Sequence, residues 1–257
     1  MKCIIKRSME KLRRIDILGL PIDALTMEET IGLILHSIQK AKPLQHVVVN
    51  AAKMVNAQHD RELSQSIVES DIINADGQAV VWASRFLGKP LPERVAGIDL
   101  MQRLVKLADE EGLKIYFLGA EENVVSEVVS KYKSVYSEKI IAGYRNGYFS
   151  LSEEEEVAKE IRDSGAHILF VAMTSPKKEI FLNKHKSFLN IPFVMGVGGS
   201  FDVVAGKVKR APFWMQRWGL EWLYRVGQEP RRMWKRYLVT NSLFIVYVLK
   251  AKFRMGK

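Results

Sequence analysis

The first residues to weigh in this chain are carboxylates and amides that directly follow short runs of apolar, β-branched residues. Asp76-Gly77 closes one such run. Asp-Gly is a frequent turn pair, so a tight turn is one reading of it. The other is a carboxylate placed to take a proton from a hydroxyl nucleophile. Asn50 follows another run, where it could orient a hydroxyl or cap the next helix.

Gly196-Val197-Gly198-Gly199 lets backbone N–H groups approach a phosphate. It lacks the third glycine of a dinucleotide fingerprint because position 201 is Phe201, and it comes late in the chain. A nicotinamide-dependent dehydrogenase is therefore disfavoured. Asp202, just beyond, could bond a ribose or sugar hydroxyl or serve as a first-turn acid.

Metal chemistry has little support. The five histidines show no ligand spacing, Cys3 is alone, and no Asp-x-Asp occurs to hold a divalent ion on a diphosphate. A leaving diphosphate would then be stabilised by cations and backbone dipoles. Arg94, Lys178, Arg225 and Arg232 are the candidates, unless each is a solvated surface charge. No cofactor is called for.

Charge is distributed unevenly. Residues 207–257 carry thirteen Lys and Arg against Glu221 and Glu229, a net of +11 in a chain of +10, so residues 1–206 sum to −1. A neutral body with a cationic tail points to an anionic partner or surface. Tryptophans are interleaved with these cations, and Trp214, Trp218 and Trp222 fall four apart, on one face if the segment is a single helix. That stripe suits a core contact, or an interfacial helix on anionic lipid. No nucleic-acid module is recognisable. A non-catalytic basic lipid- or nucleic-acid-binding module is the rival reading, for which the tail alone suffices.

The elements that must position these residues follow from periodicity. Strand patterns at 46–50, 71–75, 114–118, 140–144, 168–173 and 192–197 alternate with helical patterns, among them 79–87, 99–111, 124–132, 152–163 and 177–189. Residues 15–20 read as one further strand ending in a turn at Pro21, and 26–40 as a helix opened by a Thr26–Glu29 capping box. This alternation predicts an α/β fold with a largely parallel sheet covered by helices on both faces. Ligands of such sheets bind beyond the carboxyl ends of the strands, where Asn50, Asp76-Gly77, Gly119 and Gly198-Gly199 fall.

The predicted organisation is a catalytic body, 1–206, with a basic leader at 1–14, and a helical appendage, 207–257. The appendage reads as a helix near 215–226, a break at Pro230, and a second helix from 231 to about 253. A lone cysteine, no signal-peptide core and no spanning apolar stretch predict a cytoplasmic protein. A homo-oligomer is left open.

Joint order and spacing of motifs carry a resemblance. These are Asn50, Asp76-Gly77, the run from Glu93 through Asp99, Gly147-Tyr148-Phe149, Pro176-Lys177 with Glu179, and the run from Gly196 to Asp202. They continue with Ala205-Gly206, Arg210-Ala211-Pro212, Gly219 to Leu223 with Arg225, and Glu229-Pro230 with Arg232. In these, the chain resembles the WecG/TagA/CpsF family of bacterial glycosyltransferases along nearly its whole length.

The resemblance implies a Rossmann-like body and an inverting, metal-independent transfer of a hexose-type unit from a UDP-sugar to a polyprenyl-diphosphate-linked saccharide. It also implies a peripheral enzyme on the inner face of the plasma membrane, drawn to anionic lipid by its appendage. Asp76 would be the general base with Asn50 beside it, and Arg225, Arg232 and Arg236 would reach the diphosphate from the appendage. Two departures stand out. Val48-Val49-Asn50 replaces a usual Thr-x-Asn, and Lys178 replaces the amide of a Gly-x-Pro-x-Gln-Glu motif.

Overall fold

The computed structural model describes residues 13–255, and the basic leader and Cys3 lie outside them save for its last two residues. The side chains of Arg232 and Arg236 also lie outside the described residues.

The chain enters through an antiparallel hairpin, β1 (Arg14–Ile17) and β2 (Leu20–Asp23), where a single strand was expected. Leu18 and Gly19 both adopt positive φ, 53° and 79°. That is the twist a two-residue hairpin turn needs, and the run of apolar residues through it hides the reversal from a periodicity reading. Pro21 thus lies within β2 rather than ending a strand.

Helix α1 (Met27–Gln39) follows, with Thr26 and Glu29 forming the expected reciprocal cap. Next come β3 (Leu44–Val49), α2 (Ala51–Ala57), α3 (Arg61–Val68), β4 (Ile72–Ala75), α4 (Gln78–Phe86) and α5 (Gly97–Glu111). Then follow β5 (Ile115–Gly119), α6 (Glu122–Val135), β6 (Ile141–Arg145), α7 (Glu154–Asp163), β7 (Ile168–Ala172), α8 (Lys177–Leu189), β8 (Phe193–Gly196) and α9 (Ser200–Ala205).

Strands β3 to β8 form one six-stranded sheet in the order β4-β3-β8-β7-β5-β6, with every neighbouring pair parallel. Near-continuous runs of Val, Ile, Leu and Phe are what strands buried on both faces require. One face packs on α1, α5, α6 and α9, with Phe117 and Phe201 in contact at 5.8 Å between ring centres. Phe201, which breaks the glycine fingerprint, is a core residue there. The hairpin guards the outer edge of β4, where buried Asp23 accepts a hydrogen bond from the Ile73 N–H (2.8 Å) and pairs with Arg14 (2.8 Å).

Beyond α9 the basic segment forms α10 (Phe213–Arg217), α11 (Glu221–Gln228) and the long α12 (Pro230–Met255). The single helix expected near 215–226 is thus two. Gly219, at φ 65°, turns the chain between them, and its close approach to α4 would crowd a Cβ at that position. Pro230 opens α12, where its missing N–H costs nothing. One face of α12 carries Phe244 and Val248 into the cluster built around Met54 and Val55 of α2.

Candidate active site

The carboxyl ends of adjacent strands β3 and β4 bring Asn50 and Asp76 together. A Cβ built on Gly77 would stand 3.4 Å from the Asn50 Cβ. Asn50 caps α2, its side-chain oxygen accepting the Lys53 N–H (3.0 Å), which satisfies one of the helix's orphan donors. The segment before α5 is held over the end of β4 by a hydrogen bond from the Val95 N–H to the Ala75 carbonyl (2.9 Å). Gly97, the first residue of α5, donates its N–H to Asp76 Oδ1 (3.2 Å).

Enclosure dominates the electrostatics of Asp76. Removal from water pushes its pKa up to about 6, against the opposing pull of Arg94, the Gly97 N–H and Lys53, while Glu221 adds to the rise. A carboxylate that titrates near neutrality is suited to accept a proton.

The tail reaches this point. Glu221 of α11 pairs with Arg94 (2.5 Å) and lies 3.9 Å from Arg210, which grips Asp99 of α5 with two bonds of 2.6 and 2.8 Å. Gly219 passes so close to α4 that a Cβ there would meet Gln78 at 3.0 Å and Trp82 at 3.1 Å. Arg225 lies over the glycine-rich turn, its Nη2 only 3.4 Å from where a Gly199 Cβ would sit, with the Asp202 carboxylate 3.7 Å from the same point. Arg94 is thus a mostly buried, paired group rather than a solvated charge.

A second charged group lies below the rim. Lys53 of α2 and Lys178 of α8 each stand 2.8 Å from the same oxygen of Glu179, and all three are buried. Lys53 also donates to the Val48 carbonyl (2.6 Å). Burial alone would raise the Glu179 pKa, but Lys53 and then Lys178 overrule it and hold it at about 2. The Lys178 stem packs on the end of β8, within 3.1 Å of a Gly196 Cβ position, so the cation that replaces the usual amide sits beside the glycine-rich turn. Val48, the other departure, packs on Gly97, 3.4 Å from its Cβ position.

Gly119 stands at the end of β5 with φ 116°, where a Cβ would lie 2.7 Å from the Ala172 backbone. Close strand packing accounts for that glycine. Lys53, Asp99, Arg210 and Glu221 were not singled out for the site from sequence. Lys53 is three residues past Asn50, one helical turn, and Glu221 is one of two acids in the cationic tail, while Asp99, Arg210 and Glu221 also fall in the motifs that carry the resemblance; these were the available signals.

The three spaced tryptophans do not share a face. Trp214 belongs to α10, Trp218 closes it, and Trp222 begins the next helix. Trp214 and Trp218 are 59% and 67% exposed, and Phe213 is 77% exposed, which rules out a core stripe. Trp82 and Phe86 of α4 are also exposed, and Lys252 of α12 lies 5.5 Å above the Phe86 ring. No helix among the described residues is long and apolar enough to cross a membrane.

Residues 15–257 match the model of the glycosyl transferase WecG/TagA/CpsF family. Among curated relatives, an N-acetylglucosaminyldiphosphoundecaprenol N-acetyl-beta-D-mannosaminyltransferase of Bacillus spizizenii strain W23 is 38% identical over 197 residues, 77% of this chain and 74% of the relative. A protein of the same description from Bacillus subtilis strain 168 is 39% identical over 179 residues, covering 70% and 69%. With a parallel sheet that gathers Asn50 and Asp76 at its rim and a match over nearly the whole chain, this protein belongs to the WecG/TagA/CpsF family of glycosyl transferases.

Proposed function

We propose that the chain moves a hexose-type unit, of the ManNAc, ManNAcA or glucose class, from a UDP-sugar to a polyprenyl-diphosphate-linked saccharide in the synthesis of a cell-surface polysaccharide. The observation that carries this reading is Asp76, a carboxylate titrating near neutrality at the sheet's carboxyl rim beneath a cationic arm. The two Bacillus relatives, named for transfer of N-acetylmannosamine to an undecaprenol-diphosphate-linked sugar, support the same class of acceptor.

In this mechanism the acceptor hydroxyl donates its hydrogen bond to Asp76. As the hydroxyl oxygen attacks the anomeric carbon, its proton passes to Asp76, and the bond from that carbon to the diphosphate breaks on the opposite side. UDP leaves with the electron pair, and a single displacement inverts the anomeric configuration. Asn50 stands beside the attacking oxygen. Arg94 and Arg225, together with Arg232 and Arg236 from α12, offset the charge on the diphosphates, so that the step proceeds without a divalent ion.

Residues 1–206 act as the catalytic body and 207–257 as an arm that completes the site. The exposed aromatics of the arm and α4, amid its cations, rest on the anionic inner face of the plasma membrane, where the lipid-linked acceptor lies.

The test is transfer of labelled sugar from a panel of UDP-sugars to a synthetic lipid-linked GlcNAc acceptor, with and without EDTA, and NMR assignment of the product anomer. Transfer with inversion in EDTA is expected. Absence of transfer from every UDP-sugar would remove the reading, and retention of configuration would remove its single-displacement step.

A further inference from the structure

Two carboxylates and two arginines form a chain across the junction of arm and body. Asp99 stands in the first turn of α5 and holds Arg210 with two hydrogen bonds of 2.6 and 2.8 Å. Arg210 lies 3.9 Å from Glu221, whose other oxygen holds Arg94 at 2.5 Å. All four side chains are partly shielded from solvent, with Arg94 at 13% exposure and Glu221 at 34%, so their interactions are screened less than those of a surface pair. Glu221 is the only member of the chain that comes from the arm's helices. It is also the contact through which the arm acts on Arg94.

The charges that face Asp76 come from every element around it. Lys53 approaches from α2, Arg94 from the loop before α5, and Arg210 from the start of the arm, with the Gly97 N–H from α5 itself. Glu221 is the one anion in this set.

We propose that Glu221 is a positioning residue: from the arm it holds the Arg94 guanidinium and limits how far Arg94 can neutralise Asp76. The inference rests on the reading of Asp76 as general base. Its physical basis is that an anion placed beside a carboxylate disfavours ionisation of that carboxylate, and a guanidinium already engaged by another carboxylate gives it less relief than an unengaged one. With Glu221 in place Asp76 is therefore the stronger base, whereas without its charge Arg94 is left to neutralise Asp76.

The experiment compares wild type, E221Q and E221D in two readouts. The first is the pH dependence of kcat/KM, whose acid limb reports the base of the free enzyme. The second is the titration of the Asp76 carboxyl, followed by 13C NMR, which requires no turnover. E221Q keeps the side chain's shape and removes its charge. It is expected to move both midpoints to lower pH by at least about 0.5 unit and to lower kcat, while E221D recovers most of the shift. An Asp76 midpoint that stays in place or moves upward in E221Q would overturn the inference, whatever happens to activity, because a merely structural role leaves the titration where it was. Near-normal turnover in D76N, by contrast, would sink the general-base reading without touching the titration result.

Discussion

Replacing Asp76 by Asn should inactivate this protein and stabilise it, two effects with one cause. The carboxyl group titrates at about 6 in the folded chain against an ordinary value of 3.8. A rise of about 2 pH units corresponds to a folding cost of about 3 kcal/mol once the group is ionised, at about 1.4 kcal/mol per unit. Asp76 retains some contact with solvent, which reduces the expected gain to about 1–3 kcal/mol.

The sign follows from the direction of the shift. Because the folded state holds the proton more tightly, the cost is fully present above pH 6, shrinks as pH falls, and is nearly gone by about pH 4. Asn is uncharged and its side-chain oxygen can still accept the Gly97 N–H, so the variant escapes the cost at every pH. Urea unfolding at pH 8 should therefore show D76N more stable than wild type by about 1–3 kcal/mol, with the gap closing towards pH 4. Glu179 and the other carboxylates titrate alike in both proteins and cancel in the difference. Transfer should fall by about two to four orders of magnitude, the span usual for loss of a general base. Equal or lower stability of D76N at pH 8, or a gap that does not change with pH, would refute the placement of an ionised, desolvated carboxylate at this position.

Further outcomes are expected elsewhere. K178Q restores the amide usual at this position and should shift the preference between acidic and neutral UDP-sugars towards neutral ones, read as the ratio of kcat/KM values; an unchanged ratio removes Lys178 from donor selection. K53M leaves Glu179 buried with Lys178 alone and should cost about 2–4 kcal/mol at pH 7. Since the Glu179 pKa is depressed, the stability it contributes is present above about pH 4.5 and is lost as pH falls through about 2, so the K53M deficit should fade in acid unfolding experiments over that window. Changing Phe213, Trp214 and Trp218 together to Ser should weaken co-sedimentation with anionic vesicles by about tenfold or more. It should leave the melting temperature nearly unchanged, because these side chains bury little area on folding. Unaltered vesicle binding would place the membrane contact on another surface.

The alternation of β-branched runs with 3.6-period helices was enough to predict a parallel sheet, because strands buried on both faces must be apolar throughout and their connecting helices must be amphipathic. The same pattern placed Asp76 and Asn50 at strand ends, where a parallel sheet exposes its binding rim. Charge counting alone isolated the cationic arm, since composition does not depend on folding. What the pattern concealed were two reversals. The turn at Leu18-Gly19 and the break at Gly219 both depend on positive φ, which leaves no periodic trace.

Only the tertiary structure decided which charges meet. Glu221 lies 127 residues from Arg94, and Arg210 lies 111 from Asp99. Pairings across such separations are set by how α11 lies against the body, which no local spacing encodes. Lys53 and Lys178 likewise find one buried carboxylate only because α2 and α8 cover the same face of the sheet near the ends of β3 and β8. Residue types and their order determined that a carboxylate and a cationic arm exist. Their mutual effect arises from desolvation and a few ångströms of distance, quantities that come into being only when the chain is packed.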